Sequence, residues 1–233
     1  KFKNFFRHGT RFPGKKVISK YLALPTLRDE LIEKSNFLRD IEINAFKNWT
    51  PFPVTLNEQK FLTKEGEEEL YKLGKRFRTQ FPMFFSDESA TKFDFKHTPT
   101  QRTNNSAKHF IRGLFDKSVH NYQSVEVARD DAVLRPYKGC KLWRKTVKKN
   151  PEALLKKVQF LQSHHVENMM NELRELTKID YLGFHDIELI YTMCGYETAW
   201  RHKLFERKSI WCTLFKKEAH LKIMEYLGED YSV

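Results

Sequence analysis

Twice along this chain a short aromatic stretch runs into a loop carrying arginine, with a helical pattern following, and that arrangement constrains the fold more than any other feature. The first stretch, Phe2, Lys3, Asn4, Phe5 and Phe6, stops at Arg7-His8-Gly9. Aromatic side chains suit a pleated surface and Gly9 permits a sharp exit, so a strand entering a loop is expected. The second, Phe93-Asp94-Phe95-Lys96-His97, alternates apolar and polar residues before Thr98-Pro99-Thr100 and Arg102. Alternation with a period of two predicts another strand ending in a loop. Helical spacing resumes from Asn104 to Phe115 through Ala107, Phe110, Ile111 and Leu114. Strands interleaved with helices imply the α/β class, in which ligands bind at the carboxyl ends of the strands.

Elsewhere the pattern is helical. Val17, Ile18, Tyr21 and Leu22, then Leu27, Leu31, Phe37, Leu38 and Ile41, mark helical spacing over 13–45, and Pro51 and Pro53 make 49–56 a loop. Thr63 is the expected N-cap of a helix with Glu65, Glu67, Glu68 and Glu69 early and Lys72, Lys75, Arg76 and Arg78 late, an order that complements the helix dipole. Its buried stripe is Leu70, Leu73, Phe77 and Phe81. Residues 117–136 read as a polar surface connection, and only helices follow: from Pro151, capped by Asn150, to about Leu176, then about 186–203 and 216–227. The expected organisation is therefore an α/β core portion at 1–135 and a helical cap at 136–233.

A chain of 233 residues suits one domain or one plus a smaller cap, and its 40% hydrophobic content excludes disorder as the main state. No apolar run approaches the ~18 residues of a membrane-spanning helix. The net charge of +12 favours polyanions: nucleic acid, anionic lipid or highly phosphorylated small molecules. Lysines such as Lys148-Lys149, Lys156-Lys157 and Lys216-Lys217 read as solvated helix surface. Cys140, Cys194 and Cys212 lack C-x-x-C spacing, which gives no sign of a zinc or thioredoxin-like site. His164-His165 has no acidic or cysteine partner at metal spacing and reads as surface or packing. Asn48-Trp49-Thr50 and Asn104-Asn105-Ser106 are glycosylation sequons, weakened by Pro51 after the first and by Arg102 near the second.

The segment Arg7-His8-Gly9-Thr10-Arg11-Phe12-Pro13 has the form R-H-G-x-R-x-P. Phosphoryl transfer needs the charge on three oxygens held while a nucleophile attacks in line. Arg7 and Arg11 offer planar, permanently charged forks for those oxygens, and His8 between them has a ring nitrogen able to attack phosphorus. Neighbouring guanidinium groups are expected to lower the imidazole pKa and keep it neutral. A phosphohistidine route of this kind demands no metal or other cofactor.

The motif resembles that of the histidine acid phosphatases. Leu62-Thr63-Lys64-Glu65-Gly66, continuing to Leu73-Gly74 and Phe77, is similar to the L-T-x-x-G helix of the multiple inositol polyphosphate phosphatase branch, relatives of the phytases. Gln101-Arg102-Thr103, Ser106-Ala107, Phe110 and Gly113-Leu114-Phe115 resemble that branch's second arginine loop and helix, and Trp211-Cys212, Phe215 and Glu225-Tyr226-Leu227 its helical domain. The resemblance implies a histidine-phosphatase, phosphoglycerate-mutase-like sheet domain, incomplete here, with a mainly helical insertion. It implies His8 as nucleophile, Arg7, Arg11 and Arg102 as phosphate clamp, and Lys16 as a contact for a further substrate phosphate. It also implies metal-independent hydrolysis of inositol polyphosphates, with a small phosphorylated molecule rather than nucleic acid as partner. Residence in the secretory pathway, in the endoplasmic reticulum lumen or outside the cell, follows from the same likeness and is compatible with a disulfide among the three cysteines, Cys194 with Cys212 being one open pairing.

The sequence departs from the family at the proton donor. The H-A-E motif that would protonate the leaving alkoxide is absent. The sole His-Asp pair, His185-Asp186, precedes a helical run and makes Asp186 an expected N-cap. The resemblance thus implies truncation at the C-terminus, and two alternatives follow: a catalytically inactive polyanion-binding homologue, or a general acid phosphatase.

Overall fold

Local signals for helix and turn are realised first in the chain's own short-range hydrogen bonds. The computed structural model describes residues 3–85, 93–115, 123–205 and 209–228. In chain order the helices are α1 (Lys15–Tyr21), α2 (Leu24–Lys34), α3 (Asp40–Lys47), α4 (Lys64–Gln80), α5 (Gln101–Phe115), α6 (Pro136–Gly139), α7 (Lys141–Trp143), α8 (Pro151–Leu161), α9 (His164–Thr177), α10 (Phe184–Phe205) and α11 (Glu218–Gly228). Strands β1 (Phe95–His97) and β2 (Ser124–Glu126) pair in parallel, with Phe95 opposite Ser124 and His97 opposite Glu126. Two compact units are interleaved along the chain: 1–13 with 58–148, and 14–57 with 149–233, where the sequence alone suggested one boundary at 135.

The first unit is organised by α4 and α5. Thr63 caps α4 as expected, its Oγ1 accepting the Gly66 amide at 3.1 Å. The two helices touch backbone to backbone: a Cβ on Gly113 would lie 2.1 Å from the Tyr71 carbonyl oxygen, and one on Gly74 2.3 Å from that of Phe110. Around this crossing Leu70, Phe110, Ile111, Leu114 and Phe115 form a buried cluster, with Phe93 and Phe95 packed against it. Since β1, α5 and β2 follow in that order and the strands are parallel, α5 is the crossover of a strand–helix–strand unit.

Several expectations need correction here. Residues 3–9 form no strand ladder, because no described strand pairs with them and β1 is hydrogen-bonded to β2; Phe2 lies outside the described residues. Phe6 packs on the rings of Phe77 and Phe110 instead, at 5.5 and 4.8 Å between centroids. Strand β2 falls within the stretch read as a surface connection. Helix α5 begins at Gln101 and not Asn104, since the Thr100 carbonyl accepts the Asn104 amide at 3.1 Å and Thr103 Oγ1 donates to the Thr98 carbonyl at 2.6 Å. Arg102 therefore sits in the first turn of α5 rather than in a loop. Phe81, assigned to the buried stripe, is 37% exposed just past the end of α4, where Pro82 stops the helix.

In the second unit the helical pattern over 13–45 resolves into three helices, α2 opening with Pro25 in its first turn. The expected long helix from Pro151 breaks after Leu161, and α9 restarts behind the extended Ser163, with the His164 and His165 rings 3.8 Å apart. Phe46, Trp49 and Trp211 meet edge to face, at 5.3 and 5.1 Å between centroids. Glu197, fully buried among them, accepts hydrogen bonds from Trp49 Nε1 at 2.8 Å and Ser209 Oγ at 2.7 Å, so its burial is compensated. A disulfide joins Cys194 to Cys212, while Cys140 is free and exposed. Asp186 lies inside the first turn of α10 and its Oδ2 accepts the Gly183 amide at 2.9 Å, a helix-start role like the one expected. Among the described residues no helix is long and apolar enough to cross a membrane.

Candidate active site

The residues of the R-H-G-x-R-x-P segment are held by the beginnings of α4 and α5. Gly66 in the first turn of α4 presses on the segment so closely that a Cβ there would lie 2.1 Å from the Thr10 carbonyl oxygen, and one on Gly9 would lie 2.4 Å from that of Gly66. Thr63 donates to the Thr10 carbonyl through its amide at 3.0 Å and its hydroxyl at 3.1 Å. Glu69 accepts from the Thr10 amide and hydroxyl at 2.8 and 2.6 Å. From the other side Ser106 Oγ of α5 accepts the Gly9 amide at 3.2 Å. Further along, the Phe12 amide donates to the Phe61 carbonyl at 2.8 Å and Arg11 bridges Leu62 in an antiparallel pair. The loop is fixed by backbone groups on both flanks.

His8 is half-buried, and its Nδ1 lies 2.8 Å from the Gly9 carbonyl oxygen. A carbonyl only accepts, so Nδ1 carries the hydrogen and Nε2 of the neutral ring keeps its lone pair. The His8 pKa is lowered from 6.5, first by burial and then by the charges of Arg102, Arg11 and Arg7, against the opposing Gly9 hydrogen bond. The order refines the sequence reading, which placed the arginines first: loss of water outweighs each guanidinium charge. Burial, with the charges of Arg11 and Arg135, also lowers the Arg102 pKa. Arg102 Nε is buried with no hydrogen-bond partner among the described residues. Arg11 Nη1 donates to the Phe12 carbonyl at 2.8 Å.

The structure thus gathers Arg7, Arg11 and Arg102 about His8, although 94 positions separate Arg102 from it (102 − 8). His8 and Arg7 line a cavity of about 330 Å³ whose walls are largely phenylalanine, with Asp94, Lys96, His97, Thr103 and Ser106 among its polar elements. Lys16 stands exposed on α1 in the second unit, outside the unit that carries the other four candidates. Sequence reading missed Ser106 and Glu69 as loop anchors, and it missed Arg135, which acts on Arg102. Ser106 and Glu69 carry no signal beyond helical position. Arg135 had one, a basic run without acidic residues, hidden by its place in an apparent surface connection.

Residues 5–232 match the family described as the histidine phosphatase superfamily (branch 2). The chain is 32% identical over 240 residues to multiple inositol polyphosphate phosphatase 1 of Drosophila melanogaster, a match covering 97% of this chain and 49% of the fly protein. In three dimensions it resembles the crystal structure of the phytase from D. castellii, with a TM-score of 0.67 at 17% identity, over 96% of this chain and 48% of the phytase. That second likeness is one of fold. The chain spans about half the length of the relatives it matches.

Proposed function

The chain belongs to branch 2 of the histidine phosphatase superfamily, and on that footing we propose that it supplies the nucleophile and phosphate clamp of a phosphomonoester hydrolase acting on inositol polyphosphates. The observation that carries this reading is the state of His8: ring fixed through Nδ1, lone pair on Nε2, and three guanidinium charges acting on it. The Nε2 lone pair attacks phosphorus, the N–P bond forms as the P–O ester bond breaks, and the leaving oxygen departs with its electron pair and takes up a proton. Arg7, Arg11 and Arg102 hold the three remaining phosphoryl oxygens, and the open Arg102 Nε–H is a donor for one of them. Nδ1–H stays on the Gly9 carbonyl throughout and steadies the positive ring of the phosphohistidine. Water then attacks phosphorus, the N–P electrons return to Nε2, and inorganic phosphate leaves.

Asp186 is engaged by the Gly183 amide at the start of α10, and no residue of this sequence is assigned as the acid for the leaving oxygen. With Asp186 engaged at that helix start, a second reading is a binding homologue that clamps polyphosphates without turning them over. The net charge of +12 suits a polyphosphorylated ligand under either reading. The Cys194–Cys212 bond suits an oxidising compartment and supports residence in the secretory pathway as part of this reading.

The two readings separate in the natural polypeptide. With inositol hexakisphosphate as substrate, His8→Ala abolishes phosphate release while binding stays measurable. Hydrolysis that persists in His8→Ala removes His8 as nucleophile, and a natural protein that binds without releasing phosphate establishes the second reading.

A further inference from the structure

Between Asp131 and Glu152 the chain carries seven basic side chains and no acidic one. Within that run α7 continues directly into a π-type stretch, Arg144–Lys148, so that 141–148 form one helical segment. Side chains four residues apart on such a segment share one side. Lys141 therefore stands with Lys145 and Arg144 with Lys148, giving two adjacent basic columns. Leu142 stands with Thr146, whose Oγ1 donates to the Leu142 carbonyl at 2.9 Å, and Trp143 with Val147, giving two largely apolar ones. Like charges at this spacing weaken a helix. Exposed lysines elsewhere face glutamate at the same spacing, as Lys72 does Glu68, Lys156 does Glu152 and Lys222 does Glu218. Here no acidic side chain of the described residues pairs with any of the four cations. The apolar columns are equally open: Leu142 is 71% exposed and Val147 57%. Trp143 is half-buried beside Tyr137, their ring centroids 5.8 Å apart. Single exposed apolar residues are ordinary, but a helical segment divided into a bare apolar side and a bare basic side has the form of an interfacial element.

We infer that segment 141–148 docks on the surface of an anionic lipid bilayer, with Leu142 and Val147 at the acyl boundary and the four cations among the headgroups. Charge and apolarity choose this occupant together. Anionic headgroups supply the negative charge that the chain itself withholds, and the acyl boundary takes up the aliphatic side chains. A nucleic acid or a sulfated polysaccharide would answer the cations but leave Leu142 and Val147 in water. Each basic column borders an apolar one, so the long stems of the lysines and arginine lie along apolar surface while their charges stay at the headgroups. The rings of Trp143 and Tyr137 suit the same depth. The inference is independent of the phosphatase reading, since none of these residues lines the cavity at His8.

The test is cosedimentation of the natural polypeptide with phosphatidylcholine vesicles made with and without phosphatidylserine. Binding is expected to the mixed vesicles alone and falls as salt rises. A basic side chain near an anionic surface is worth about fivefold in affinity, so Lys141→Gln combined with Lys145→Gln weakens binding about 25-fold. Leu142→Gln combined with Val147→Gln also weakens it, which a purely electrostatic contact would not show. All four side chains are exposed, so both double variants keep the unfolding midpoint of the unsubstituted protein. Equal binding to both kinds of vesicle, binding to neither, weakening by only one double variant, or a fall in either midpoint overturns the inference. Retention on heparin or duplex DNA without vesicle binding assigns the cations to another polyanion and overturns it too.

Discussion

A half-buried imidazole subject to three guanidinium charges is held neutral by two causes that substitution can separate. Burial is the larger, and among the charges Arg102 comes first. Arg102→Gln should therefore raise the His8 pKa toward 6.5 without restoring it fully, because burial remains. Following the His8 ring protons by NMR against pH checks this. The sign is definite: the free protein loses its neutral imidazole as pH falls through the His8 pKa, and in the variant that loss begins at higher pH. An unmoved titration would place Arg102 away from His8. Arg7, His8 and Arg11 were legible in the sequence because they share one short segment. Arg102 needed the resemblance to reach His8, and nothing local in the sequence ties Arg135 to the Arg102 on which it acts.

At the scale of elements, the site depends on how closely α4 approaches the loop it supports. Gly66→Ala would put a methyl group against the backbone of Thr10, which cannot swing aside like a flexible side chain. The expected outcome is a loss of about 1–3 kcal/mol in unfolding free energy, with weaker inorganic phosphate binding as the loop shifts. Denaturant unfolding and phosphate titration of the same variant check both effects. A variant with unchanged stability and affinity would show that the close contact has no bearing on the site. Helix α4 was readable to its cap because Thr63, the charge order and Leu70 are all local signals. The strand expected before His8 was not realised, since a ladder needs a partner that no aromatic run can specify. β2 was missed because Ser124–Glu126 is three residues long in a polar stretch, too short for alternation to show. The break between α8 and α9 likewise has no Gly or Pro to announce it.

For the molecule as a whole, the α/β class and the family were accessible from sequence, but the grouping of segments was not. Residues 14–57 pack with 149–233 through contacts such as Trp49 with Trp211 and Trp49 with Glu197, pairings across the chain that no local pattern encodes. The strong positive charge is a property of the whole sequence, and it suits binding without turnover and turnover of a polyphosphate alike. Trapping the covalent state decides between these most directly. The natural polypeptide is mixed with inositol hexakisphosphate labelled on its phosphates, quenched in alkaline denaturant, and mapped by peptide. The account predicts a label on His8 that survives alkali and is released by acid. Phosphate release with no label, or with the label on another residue, would contradict it.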